Sequence, residues 1–226
     1  MKWDSILTAT LVGCALLTTG LLVRREFFAP QDRSPVASPP RFISDWQSNL
    51  GTGVLMGSHT APVQIMEFGD FECPFCATFA ATLRTIRERY PDKVAVDFFE
   101  FPIRGHRFAL PAARVAECAG AQGRFEAMYE ALYEDQESLG LKPWSQYATQ
   151  AGISDIPRFK KCSAETGPLE RVGRGQTLGN AWGVRGTPTV VVNGWMFAEP
   201  PTLEKMDAAV KRIMNGKSPV ESVSTK

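Results

Sequence analysis

Histidine is scarce in this chain: His59 and His106 are its only two. A zinc site needs about four ligands. Beyond one close cysteine pair, the candidates are Cys14, Cys118, Cys162 and the two histidines, none spaced as a matching second ligand pair. No metal and no cofactor are therefore expected. An excess of one charge is also lacking: 25 Lys and Arg face 24 Asp and Glu, for a net charge of +1. There is no long basic block and no aromatic–basic interleaving, so nucleic-acid binding is not expected. No coiled-coil or separate dimerisation segment is evident, and a monomer is the default.

What the chain does have is Cys73-Pro74-Phe75-Cys76, two cysteines one helical turn apart. An apolar run, 62–68, precedes them, and helical periodicity over 77–90 follows. A strand, a short turn and a helix that begins at the pair form the context in which C-x-x-C is a redox motif. Backbone N–H groups at a helix start stabilise a thiolate on Cys73, and Cys76 is near enough to attack a mixed disulfide. Such pairs also occur as zinc half-sites and as structural cross-links, so these readings stay beside the redox one.

Long apolar runs are rare as well; the one present spans 5–23, without an ionisable side chain except Cys14. At 1.5 Å per residue it would form a helix of about 28 Å, close to the hydrocarbon thickness of a bilayer. The expectation is an uncleaved transmembrane signal-anchor over 1–28, because no good A-x-A cleavage signal follows. A long signal peptide and a lipoprotein site at Leu11-Val12-Gly13-Cys14 are the alternatives. Arg24 and Arg25 beyond the run oppose export under the positive-inside rule, whereas the cysteine chemistry favours it. The reading adopted is a bacterial cell-membrane protein with its domain on the periplasmic or extracytoplasmic side. Residues 29–56, rich in Pro, Ser, Arg and Gly, read as a linker. Phe42, Ile43, Trp46 and Leu50 within it suggest a short amphipathic turn.

The domain itself is expected over 57–215, with a flexible tail at 216–226. Strands are predicted at 63–68 and 94–99 and after Gly186-Thr187-Pro188-Thr189, where Val190-Val191-Val192 breaks at the hairpin signal Asn193-Gly194. Leu203 to Met214 has helical spacing. Helices are predicted at 109–121, 124–133, 143–151 and around 163–182. A β-α-β start and a β-β-α end are thus separated by a helical insertion, about 104–180. That order fits an α/β fold with one small mixed sheet. Cys118 and Cys162 both fall in the insertion. Buried free thiols are one reading; in an oxidising compartment the other is a structural disulfide, contributing about 4 kcal/mol in the chain-entropy model.

The sequence resembles the DsbA-like branch of the thioredoxin superfamily. The resemblance rests on Phe68-Gly69-Asp70-Phe71-Glu72-Cys73-Pro74-Phe75-Cys76, Phe101-Pro102, His106, Ala112-Ala113, Ala116-Glu117-Cys118 and Phe125. It continues in Gly183-Val184-Arg185-Gly186-Thr187-Pro188-Thr189 and Asn193-Gly194, and spans about 55–215. It implies a thioredoxin-like fold with an inserted helical subdomain, Cys73 as attacking and Cys76 as resolving cysteine. It also implies that Pro188 is a cis-proline opposite the pair, with Thr187 helping to hold an extended client peptide. Pro74 and Phe75 are the other expected client contacts. Glu67, six positions before Cys73, would be a buried carboxyl that exchanges protons with Cys76; an exposed strand glutamate is the alternative. Phe75 departs from the histidine common there in strong oxidants, so Cys73 is expected to be less acidic than with histidine.

The function these features imply is a protein thiol–disulfide oxidoreductase that introduces disulfides into exported cysteine-containing proteins. A membrane redox partner would regenerate its disulfide. Reduction or isomerisation is the reverse or incomplete cycle, and a non-catalytic client-binding factor is the alternative from another class.

Overall fold

In the computed structural model the described residues are 3, 11, 13–14, 16–20 and 39–221. They fall into two units, Met1–Ala37 and Ser38–Lys226. The described residues of the first unit are helical.

The transmembrane signal-anchor expected over 1–28 is not borne out. Among the described residues no helix is long and apolar enough to cross a membrane. With the anchor fall the membrane tether and the placement of the chain on the cell membrane. A span needs about 20 consecutive apolar residues. The long helix at the cysteine pair has 16 residues and carries Arg87 and Arg89 in its last turn. Most of the run 5–23, the charges at 24–26 and the linker up to 38 lie outside the described residues.

The second unit is built on a six-stranded sheet. Its strands are β1 (Arg41–Phe42), β2 (Val54–Met56), β3 (Val63–Gly69), β4 (Val94–Glu100), β5 (Thr189–Val192) and β6 (Trp195–Met196). They lie in the order β1-β6-β5-β3-β4-β2. Only β3 and β4 run parallel, in register from Val63 against Val94 to Gly69 against Glu100. Helix α2 (Pro74–Arg89) supplies the crossover between them, as parallel neighbours require. The hairpin β5–β6 turns at Asn193 and Gly194, with φ of 43° and 86°. That left-handed pair is what an Asn-Gly turn is suited to. Residues 41–50, read from composition as linker with a short turn, form β1 on the sheet edge and the short helix α1 (Trp46–Asn49).

The α/β sheet with a helical insertion is present. The insertion comprises α3 (Ala109–Gly120), α4 (Phe125–Glu134), a 3₁₀ turn (Gln136–Ser138), α5 (Trp144–Gln150), α6 (Ile156–Ser163) and α7 (Glu170–Ala181). Helix α8 (Leu203–Met214) closes the chain's core. The helix expected around 163–182 begins later, at Glu170 after Gly167 and Pro168, and α6 before it was not expected.

Both faces of the sheet are covered, so β3 and β4 are buried along their whole length. On one face Val63, Ile65 and Val96 pack with Leu83 and Ile86 of α2, Met206 and Val210 of α8, and the aromatics of the insertion. On the other, Met66, Phe68 and Phe99 pack with Ile43, Trp182 and Val191. This layering places the end of β3, and the cysteines after it, under the helical insertion. Gly69 is required there: a Cβ would lie 2.3 Å from the Phe98 ring.

Candidate active site

Pro74 fixes where α2 begins. Its ring favours the first helical position, where no N–H is needed. Cys73 is therefore the N-cap residue, and its carbonyl accepts from the N–H groups of Cys76 and Ala77 at 3.0 and 3.2 Å. Cys76 sits within the first turn and is fully buried, while Cys73 is only 5% exposed. Both are free thiols here.

The two thiols are driven apart in acidity. Hydrogen bonding from the Cys76 thiol lowers Cys73 to about 5, against burial, which raises it. The Thr187 side chain and the backbone N–H groups of Cys76 and Phe75 add to the lowering. Cys76 is pushed far up, first by burial and then by its bond to Cys73 and the charge of Glu67.

Across the sheet, the Thr187–Pro188 peptide bond is cis. The Cys73 thiol donates to the Thr187 carbonyl at 3.2 Å. The Thr187 hydroxyl is buried and has no hydrogen-bond partner among the described residues. It is the donor left to greet a thiolate.

Glu67, on β3, is fully buried. Its Oε2 accepts from the Tyr129 hydroxyl on α4 at 3.0 Å, and its Oε1 has no partner among the described residues. Burial raises its carboxyl to about 8, partly offset by Tyr129 and reinforced by charge on Cys73. The exposed-glutamate alternative does not describe this residue. Pro74 is exposed, Phe75 is 70% exposed beside the thiol, and Pro188 is buried.

Cys118 and Cys162 are disulfide-bonded to each other, with Cα atoms 5.8 Å apart, tying α3 to α6. His106 joins the turn before the pair: its Nδ1 lies 2.8 Å from Asp70 Oδ2, which also accepts from the Ile103 N–H. Among the described residues no group of His, Cys, Asp and Glu is arranged to hold a metal ion.

Sequence reasoning missed Gln136. Its side-chain nitrogen donates to the carbonyls of Phe71 and Cys73 at 2.8 and 2.9 Å, pinning the turn from the insertion side. A glutamine in a polar turn after α4 gives no signal of this; only tertiary packing does. Tyr129 was likewise readable only as a core aromatic.

A family model described as Thioredoxin matches residues 49–212. A curated Na(+)/H(+) antiporter NhaA 1 of Mycolicibacterium gilvum is 35% identical over 141 residues, 61% of this chain and 23% of that protein. The chain thus spans about a quarter of the length of that relative. The Probable disulfide bond formation protein D of Bacillus cereus is 30% identical over 169 residues, 70% of this chain and 76% of that protein. The crystal structure of oxidised BdbD from Bacillus subtilis superposes with a TM-score of 0.65 at 19% identity, covering 80% of this chain and 98% of that one.

Proposed function

From the premise that this chain belongs to the thioredoxin family and has a DsbA-like thiol–disulfide oxidoreductase fold, we propose that Cys73 and Cys76 donate a disulfide to exported cysteine-containing proteins. What supports the direction is the place of Cys73 at a helix N-cap, where hydrogen bonding lowers its thiol to about 5. A stabilised thiolate favours the reduced enzyme, which makes its disulfide the stronger oxidant.

The cycle starts from the Cys73–Cys76 disulfide. A client thiolate attacks Cys73 Sγ, the Cys73–Cys76 bond breaks, and Cys76 leaves with the electron pair. A bare thiolate at Cys76 is disfavoured by burial. Glu67, neutral near pH 7 and buried beneath the pair, supplies the proton from its free oxygen. A second client thiolate then attacks the client sulfur of the mixed disulfide and displaces Cys73 as a thiolate. The client loses two electrons and two protons. The enzyme keeps the electrons, one proton rests on Cys76 after Glu67 is reprotonated, and the other passes to solvent.

The dithiol is reoxidised by a disulfide-bearing partner that accepts the two electrons in the reverse exchange. Exposed Phe75 and the Thr187–Pro188 segment hold the client during the mixed-disulfide stage. The test is turnover of a reduced, unfolded client with two cysteines by the oxidised full chain. Stoichiometric client oxidation, abolished in Cys73→Ala with folding preserved, supports the reading. Client binding without oxidation, unchanged in Cys73→Ala, supports a non-catalytic binding factor instead.

A further inference from the structure

Next to the cysteine pair lies a cleft that sulfur exchange does not itself need. It encloses about 560 Å³ between the segment before Pro188, the end of the β5–β6 hairpin, and Pro39 and Arg41. Thr187, whose carbonyl meets the Cys73 thiol at 3.2 Å, is part of its lining. An extended client whose cysteine reaches Cys73 can lay one flank into it.

The cleft is charged with one sign. Arg41 and Arg185 line it, and no Asp or Glu does. Elsewhere the arginines of α2 are matched: Arg84, Arg87 and Arg89 pair with Glu130, Glu126 and Asp207. The two cleft arginines have no carboxylate partner among the described residues. Arg41 is fixed by its own Nη2, which donates to the Trp182 carbonyl at 2.5 Å and lies 3.4 Å from Met196 Sδ. Arg185 is exposed. Apolar Pro188, Met196 and Phe197 complete the lining.

We infer that this cleft selects clients with an acidic residue close to the reactive cysteine, Arg185 taking the carboxylate and Arg41 adding a fixed positive field. The inference rests on the reading of Cys73 and Cys76 as the exchange pair. Arg185 lies two residues before Thr187, and extended chain advances about 3.3 Å per residue. The selected carboxylate therefore falls about two residues from the client cysteine, on the flank over 183–186. An arginine fork favours a carboxylate over a neutral amide. Charge of one sign also speeds encounter with an oppositely charged peptide.

The experiment follows mixed-disulfide formation by the oxidised full chain with short single-cysteine peptides. The peptides carry Asp, Asn or Lys at each position within two of the cysteine, and rates are compared at equal peptide thiolate concentration. The Asp peptide on one flank should react about threefold to fivefold faster than its Asn counterpart, the size of a surface ion pair. The Lys peptide should be slower than both, and the differences should shrink in high salt. Arg185→Gln should bring the Asp-to-Asn ratio near one, and Arg185→Glu should invert it toward Lys. Because the ratio is internal, an altered Cys73 reactivity cancels. Equal rates for Asp and Asn at every position, or a ratio that survives Arg185→Gln, overturns the selectivity while leaving the exchange reading intact. No mixed disulfide with any peptide overturns both.

Discussion

The Gln136 side-chain amide donates to the Cys73 carbonyl at 2.9 Å, joining the helical insertion to the N-cap of the redox helix. The same nitrogen reaches the Phe71 carbonyl at 2.8 Å. Gln136 is a positioning residue: it holds the Cys73 carbonyl, which also accepts from the N–H groups of Cys76 and Ala77. Replacing it by Leu should raise Cys73 above about 5. Gln136→Glu should raise it further, because a carboxylate cannot donate and adds negative charge. Ultraviolet titration of the thiolate checks this order. Loss of both bonds should also cost about 1–3 kcal/mol in denaturant unfolding. A purely structural role would lower stability without moving the titration.

Glu67 titrates near 8 rather than at its usual 4.5 because it is buried. The sign follows from linkage: below pH 4.5 both folded and unfolded forms are neutral. As pH rises from there to about 8, the buried carboxyl costs stability, and the cost is constant above. Glu67→Gln should therefore gain stability relative to the parent across that window. It should also slow client oxidation by about 10²-fold, the lower range of general acid–base effects, and lose the rate inflection near pH 8. An unchanged pH–rate profile removes the proton role. Tyr129→Phe, which deletes the bond that lowers Glu67, should move that inflection upward.

The Thr187 hydroxyl can be separated from its carbonyl. Thr187→Val keeps the carbonyl that accepts from the thiol and deletes the donor to the thiolate, so Cys73 should rise. Cys73 shifts from 9.0 to about 5 in the folded reduced protein. The advantage this gives the reduced over the oxidised form is complete above pH 9, shrinks through the window, and is gone below about 5. Denaturant midpoints of the two forms across this range should converge at low pH. In Thr187→Val they should converge earlier as pH falls.

The Cys118–Cys162 bond closes a loop of 44 residues between α3 and α6. Replacing both cysteines by Ala should cost about 2–5 kcal/mol of stability. Denaturant unfolding of the double variant measures it.

Much of the scaffold was legible in the sequence because its elements carry strong local patterns. Helix 203–214 and the Asn193-Gly194 turn are examples. So is the strand that feeds Cys73. Periodicity placed the start of the redox helix at Ala77, three residues after its observed start at Pro74. Strands β1 and β2 were missed because two or three residues carry no period, and edge pairing alone defines them. The anchor expectation rested on the composition and length of 5–23, and among the described residues no helix is long and apolar enough to cross a membrane. Gln136 and Tyr129 act through distances of 63 and 62 residues along the chain, and no local pattern encodes such contacts.

The most direct test of the account is the reduction potential of the Cys73–Cys76 pair in the full chain. It is set by thiol–disulfide buffers and read by alkylation and mass mapping, which separates this pair from Cys14 and from Cys118–Cys162. The account predicts a potential more oxidising than about −180 mV, above the glutathione poise of an oxidising secretory compartment. A potential below about −270 mV, where thioredoxin-type reductants lie, would contradict disulfide donation.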